Sequence, residues 1–526
     1  MEPVDFIVAG GGTAGCVLAN RLTEDPSVTV LLLEAGGDDR RLEVRAPAAF
    51  SKLFKTDADW AYETLPEPRL KDRRLFWPRG KVLGGCSSIN AMIYIRGHAW
   101  DYDHWASLDN DGWSYRDVLP YFKRAECWHG QASPDHGYGG PLHVGRMRRV
   151  TPMSEIFLRA ATETGLSLNP DFNGPTQDGV GIYHTNIHGG RRWSVVDGYL
   201  RPALRRPNLQ VVTNAQATRL IFDGRRATGV EYLRGGKLTR ATALREVLVC
   251  GGAIGSPHLL LLSGVGPAAQ LRAREITIVI DLPGVGENLQ DHLMGMLVYG
   301  CKERGMTLDH ADTLGNVARY LLLKQGPFLS NVGEAGAFLR TREGLPAPDL
   351  QIIFAPGYFV RHGFVKPEGD GFSMGFILLR PESRGRVSLS RGMPGGAPNI
   401  EANYLESAAD EQVLLEGLKF CRNLAHAPAF SHYRGAEYVP GTTAGDEAFL
   451  REYIREWTET VYHPVGTCMM GRGPKAVVDS RLRVRGLDGV RVVDASIMPT
   501  IVGGNTHAPV IMIAEKAADM IKAAYR

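Results

Sequence analysis

A chain of 526 residues, 44% of them apolar, can bury a large core across two or three domains. Charged residues make up 22% and the net charge is only +3. Lysines and arginines are interspersed with acids, which argues against nucleic acid or an anionic membrane and favours small uncharged partners. Seven cysteines, Cys16, Cys86, Cys127, Cys250, Cys301, Cys421 and Cys468, are odd in number, far apart and free of any C-x-x-C or metal-ligand pattern. That usage fits a reducing cytoplasm and predicts no metal. The first strand begins within five residues of Met1, too early for a secretory leader.

That strand, in VDFIVAGGGTAG, runs straight into G-x-G-x-x-G at Gly10, Gly12 and Gly15. Glu34 closes a second apolar strand, VTVLLLE. Strand, glycine triplet, helix and acid at this spacing predict a dinucleotide-binding unit. Gly10 makes the tight turn, Gly12 admits a pyrophosphate to the helix N-terminus, Gly15 lets the helix lie close to the sheet, and Glu34 accepts from a ribose diol. An acid at that place disfavours a 2′-phosphate, so the ligand is NAD or FAD.

From Glu34 to residue 75 the chain is polar with weak periodicity, followed by the glycine-rich stretch Phe76–Gly97. Strand patterns return in NLQVVT, ATRLIFDG, ATGVEYL and REVLVCGGAIGSP. The uncharged run Val247–Leu271 is interrupted by glycines and prolines into strand, loop and short helix, and no transmembrane span is expected. PDLQIIFAP and GFSMGFILLRP read as strands, and 408–427 and 446–457 as helices, without nucleotide features. GVRVVDASIMP and a final apolar helix complete the chain. The expected architecture is α/β: a Rossmann-like nucleotide domain from segments 1–155, 191–292 and 455–526, and a sheet-based α+β substrate domain from 156–190 and 293–454.

Five motifs in order carry a family resemblance over nearly the whole length. They are GKVLGGCSSIN (Gly80–Asn90), GAIGSPHLLLLSGVG (Gly252–Gly266), GVGENLQDH (Gly284–His292), YHPVGT (Tyr462–Thr467) and VVDASIMP around Asp494. In these the chain resembles the glucose-methanol-choline family of FAD oxidoreductases. The resemblance implies FAD as cofactor, with Gly84, Gly85 and Ser87 giving backbone to the flavin and Asn90 near its pyrimidine side. It implies Ala217 at adenine and Asp494 near the pyrophosphate and ribityl chain. Thr13, Ala14, Ala35, Ala91, Gly252, Ala495, Asn505, Thr506 and His507 complete the expected cofactor set. Some relatives attach the flavin through a histidine just before that asparagine; here Ile89 stands there, so non-covalent FAD is expected.

Oxidising an alcohol by hydride transfer needs a base for the hydroxyl proton. The HPVGT context assigns that base to His463, and alignment on the last helix gives Asn505 as its partner. His507 departs from relatives that carry asparagine and is expected to cap the last helix. His292 is expected to be structural or to line the substrate cavity, with Met294 and Tyr462 also lining it. Choline-oxidising relatives carry glutamate where this chain has Met294, which points to an uncharged primary alcohol, aliphatic or aromatic. Dioxygen is the favoured electron acceptor, with a quinone-type acceptor, and hence choline dehydrogenase-like activity, as the alternative. A hydroxynitrile lyase-like or photodecarboxylase-like reaction stands further back.

Overall fold

The computed structural model describes residues 2–390, 396–441 and 445–525. Its first sheet grows from the apolar N-terminal runs. Strand β1, Val4–Ala9, lies parallel to β2, Val30–Leu33, on one side and to the end of the long strand Lys237–Val249 on the other. Leu209–Val212 adds beyond β2, and Val490–Val492 beyond Lys237–Val249, both in parallel. Strands of this kind are buried on both faces, which is why β2 reads as an unbroken apolar run. The near half of Lys237–Val249 leaves the parallel order and pairs with Arg226–Arg234, which pairs in turn with Ala215–Asp223.

Helix α1, Thr13–Leu22, follows β1 directly, and the C-terminal helix His507–Ala524 packs against it. One buried carboxylate joins these helices to two more segments. Glu515 accepts from Arg21 at 2.7 Å, from Arg124 at 2.8 Å and from the Tyr199 hydroxyl at 2.7 Å. With its charge matched by two guanidinium groups, the fully buried Glu515 holds chain positions 21, 124 and 199 on the last helix.

The run Val247–Leu271 is divided by its glycines and prolines into short strands and helices. The strand ends at Val249, and a helix spans Gly252–Leu262 with Pro257 inside it. Pro257 has no N–H for the Ala253 carbonyl. That carbonyl instead accepts from Thr467 Oγ1 at 2.6 Å, so the threonine of YHPVGT completes the helix. Among the described residues no helix is long and apolar enough to cross a membrane.

A second, antiparallel sheet orders Arg434–Val439, Leu293–Cys301, Asp370–Leu378, Leu350–Ala355, Ala335–Leu339 and Gly179–Ile182, with Glu459–Thr460 also pairing Leu293–Cys301. Asp370–Leu378 is buried at every position because both faces are covered. Helix Ala408–Ala425 packs on the strand from one side. On the other, Met296, Gly375 and Ile353 are register partners across three strands, and all three line a central cavity. Alternation thus gives this sheet one core face and one cavity face.

Helix α1 approaches the first sheet closely at Gly15, where an added Cβ would fall 1.9 Å from the Gly10 carbonyl oxygen. Gly15→Ala must therefore push α1 off the β1 turn, at about 1–3 kcal/mol for overpacking. The variant is expected to purify with far-UV circular dichroism near that of the parent but with flavin absorbance reduced several-fold.

Candidate active site

The cavity, about 450 Å³, runs from the glycine turn after β1 to the inner face of the antiparallel sheet. At one end lie Gly10, Gly12, Thr13, Ala14, Glu34, Ala35 and Ala217. Glu34 Oε2 accepts from the Gly11 amide at 2.9 Å and Oε1 from Gly36 at 2.8 Å. Each oxygen keeps a lone pair for a ligand. Burial pushes its pKa up to about 7, against those amide donors. Midway, Gly85 crosses the first glycine loop, its φ of +52° and a Cβ position 2.8 Å from Gly12 Cα both requiring glycine. Asp494 accepts from the Gly252 amide at 2.8 Å and from Ser256 Oγ at 2.5 Å, fixing the start of the helix that lines this stretch.

Four residues expected at the ligand stand behind the wall. Gly15 packs on Gly10, as its predicted role in helix packing requires, and does not border the cavity. Gly84 donates its amide to Gly11 O at 2.8 Å, and Ser87 Oγ donates to Gly84 O at 2.7 Å; both brace the loop from outside. His292 is fully buried beyond His463 and likewise lines nothing, because its ring is used in positioning that histidine.

Ile89, Asn90, Ala91, Ala495, Thr506 and His507 line the middle and far parts. Asn90 Oδ1 accepts from the Met92 amide at 3.0 Å and from Arg192 Nη1 at 2.7 Å. Arg192 is a finding of the structure. It is buried, has no carboxylate partner within ion-pair distance among the described residues and leaves Nη2 without a partner among them, and burial lowers its pKa to about 9. His507 opens the last helix, but its Nδ1 faces Thr13 Oγ1 at 3.5 Å rather than a helix amide. Its ring joins the first glycine turn to the last helix, and burial followed by the Arg192 charge lowers its pKa to about 4.

At the far end two hydrogen-bond chains meet, and each starts from a backbone carbonyl that can only accept. His292 Nε2 lies 3.1 Å from Leu379 O and so carries a proton. Its Nδ1, 3.0 Å from His463 Nδ1, must then accept, which puts the His463 proton on Nδ1 and leaves Nε2 bare. In the other chain Tyr183 donates to Ile352 O at 2.8 Å and accepts from Gln351 Nε2 at 2.9 Å. Gln351 Nε2 also reaches Asn505 Oδ1 at 3.5 Å, which turns Asn505 Nδ2 toward His463 Nε2 at 3.2 Å. The bare Nε2 lone pair of His463 and an amide donor therefore face each other in one orientation.

The backbone of His463 is held as firmly. Asp291 Oδ1 accepts its amide at 2.7 Å, and Oδ2 takes the hydroxyls of Thr460, at 2.6 Å, and Tyr404. Thr460 Oγ1 accepts from the Tyr462 amide at 2.8 Å, stabilising a left-handed φ of 74° at Tyr462. Burial raises the Asp291 pKa to about 6. Tyr462 lines the cavity, its hydroxyl 2.6 Å from His362 Nδ1. Met294 and Met296 line it from the sheet.

The segment from Glu34 to residue 75, polar and of weak periodicity as sequence, supplies Phe50, Phe54, Trp60 and Tyr62 to the same walls, and the glycine-rich stretch after it supplies Arg79. Arg79 Nη2 donates to Tyr462 O at 2.7 Å. The clustering of Phe, Trp and Tyr in that polar stretch was the available signal.

An elongated cavity with a glycine turn and uncapped helix at one end, and a base with a donor at the other, defines a dinucleotide-dependent oxidoreductase. The walls fit FAD: an added Cβ would meet nothing within 4 Å at Gly252 and nothing nearer than 3.9 Å at Gly12, so the lining is open where a cofactor must approach backbone. Two GMC oxidoreductase family models match residues 4–294 and 381–514. The chain belongs to the GMC oxidoreductases, and its cofactor is FAD. It is 45% identical to an uncharacterized GMC-type oxidoreductase of Mycobacterium tuberculosis, over 98% of this chain and 99% of that one. It is 46% identical to an oxygen-dependent choline dehydrogenase of Burkholderia multivorans, over 98% of this chain and 93% of the relative. Among solved structures, pyridoxine 4-oxidase from Mesorbium loti superposes with a TM-score of 0.91 at 32% identity, covering 99% of both chains.

Burial, followed by the charges of His292 and Arg79, holds the His463 pKa well below its ordinary 6.5. A histidine with a lowered pKa stays neutral as pH falls through that value. The acid limb of flavin reduction by substrate is therefore expected well below pH 6.5 in anaerobic stopped-flow measurements. His292→Ala frees the His463 ring to turn and should slow reduction about 10- to 100-fold, the usual effect of losing an orienting partner. His292→Gln, which can accept from Nδ1 and donate to Leu379, should restore most of the rate.

Proposed function

We propose that this enzyme oxidises an uncharged primary alcohol, aliphatic or aromatic, to the aldehyde, with His463 as base. The observation that carries the reading is the bare His463 Nε2 set 3.2 Å from Asn505 Nδ2 at the cavity wall. An alcohol oxygen is both donor and acceptor, so it fits between them, giving its proton to Nε2 and accepting from the amide. Proton uptake leaves a cation on the ring, and the bond from Nδ1 to His292 shares it with a neutral acceptor. Asn505 meanwhile opposes negative charge on the oxygen as the carbinol hydrogen leaves.

Bound FAD supplies the hydride acceptor, and we propose dioxygen as its oxidant, giving hydrogen peroxide, with a quinone-type acceptor as the alternative. Gly10 to Gly12 would meet the pyrophosphate, Glu34 a ribose, Ala217 the adenine, and Asn90, Thr506 and His507 the flavin end. Ile89 offers no nucleophile for a covalent link. In this reading segments 1–155, 191–292 and 455–526 form the FAD domain, and 156–190 and 293–454 the substrate domain.

Choline is the second reading, favoured by the 46% identity to a choline dehydrogenase. Charge speaks against it. Glu34 and Asp494 are the only acidic residues among the described lining, and both sit with the proposed cofactor contacts; Met294 and Arg79 stand with His463. Trp60, which would offer a face to a quaternary ammonium, stacks on Tyr62 at 5.7 Å and already carries Lys81 Nζ 4.7 Å from its ring centre. An unpaired buried cation beside Arg79 is costly.

His463→Ala should slow anaerobic flavin reduction by about two to four orders of magnitude at unchanged FAD content, and Asn505→Ala by less. Reduction within a factor of about three of the parent would assign the base elsewhere. In competition between choline and benzyl alcohol, the uncharged alcohol is expected to be preferred in kcat/KM by at least about tenfold, since burying the cation costs more than 1.4 kcal/mol. A preference for choline would overturn the substrate class and leave the roles of His463 and Asn505 in place.

A further inference from the structure

Away from the cavity, three ligating side chains converge on one face of a small sheet. Strand Glu126–Trp128 lies parallel to Leu142–Arg146, with Cys127 in register with His143. Register partners in a parallel ladder share a face, and so do residues two apart on one strand. His129 continues the ladder one residue past its strand, its amide bonding Val144 O at 2.9 Å, and so joins Cys127 on that face. The sulfur and two imidazole nitrogens consequently lie within 4.8 Å of one another, His129 Nε2 only 2.6 Å from His143 Nδ1. None of the three lines the central cavity.

We propose that Cys127, His129 and His143 form a site for a divalent transition-metal ion of borderline softness, Zn²⁺ being the best match. One thiolate and two imidazoles suit zinc, whereas calcium and magnesium want oxygen donors that this set does not contain. Zn–N bonds of about 2.0–2.1 Å and a Zn–S bond of about 2.3 Å put donor atoms roughly 3.3–3.8 Å apart around a tetrahedron. The two nitrogens must open by less than about 1 Å to reach that spacing. His129 is exposed and free to make the adjustment, and its side leaves the remaining coordination open to water.

His143 is already positioned, stacked on His188 at 3.7 Å and against the edge of Trp193 at 4.7 Å. Cys127 enters as the thiolate, the form of cysteine that ligates a metal, and so gives up its thiol proton. Binding then exchanges the S–H bond for an S–metal bond and releases that single proton to solvent, with no change in oxidation state. The ion would tie the two strands across the intervening turn. Glu126, beside Cys127, pairs with Arg96 at 2.6 Å and with His136 from that turn at 3.0 Å, so the staple supports a buried network.

Tag-free, dialysed holoenzyme titrated with ZnCl₂ by calorimetry should bind one ion per chain with Kd of about 1 μM or tighter. Release of one proton should appear as a heat that depends on the buffer. Cys127→Ala, His143→Ala and the exposed His129→Gln should each weaken binding at least about tenfold, with FAD content and anaerobic flavin reduction unchanged. X-ray absorption of the zinc-loaded protein should contain one sulfur scatterer near 2.3 Å, the ordinary Zn–S length. Zinc binding equally to the parent and to all three variants, no binding by the parent, or a shell without sulfur would overturn the assignment.

Discussion

A backbone carbonyl has no proton to give, and two such carbonyls set the direction of the hydrogen bonds made by the His463 ring. Leu379 O determines the tautomer of His292 and through it that of His463, while Ile352 O determines the orientations of Tyr183, Gln351 and Asn505. Imidazole and amide groups alone could reverse such a chain at little cost. Anchored on Ile352 within one strand of the antiparallel sheet and on Leu379 just past the end of the neighbouring strand, these cannot. The sheet serves the site through its main chain as much as through the side chains on its cavity face.

The surrounding electrostatics follow the same direction. Burial keeps His463, His292 and His507 neutral, and raises Glu34 and Asp291 toward neutrality. Arg192 is the exception, a buried cation with amide and carbonyl partners and one idle nitrogen. Such a charge costs free energy unless something polar approaches it, and its neighbours Asn90 and His507 both line the central cavity.

Much of this was legible in the sequence because the information is local. A strand running into G-x-G-x-x-G announces its own geometry, and YHPVGT and NLQDH stand as intact words. What could not be read depends on contacts distant in sequence. His292 stood open between a structural place and the cavity lining because nothing in NLQDH reveals that its ring lies behind His463, 171 residues away. His507 suggested a cap because it begins a helix, whereas its ring reaches Thr13. The stretch after Glu34 looked idle because short turns and 3₁₀ segments have no period to detect, yet Phe50 and Phe54 line the site. Cys127 and His143 match no linear ligand pattern because strand register brings them together.

The clasp on Glu515 sets an order of events during synthesis. Arg21, Arg124 and Tyr199 leave the ribosome long before their shared partner, and Val490–Val492 is a late addition to a sheet begun at Val4. Until then the first glycine turn lacks the helix that packs on α1 and carries His507 to Thr13. Domains otherwise form from the N-terminus as the chain emerges. Here the cavity gains its last wall only with the final helix, and chains halted before residue 507 would hold the first glycine turn with that wall missing.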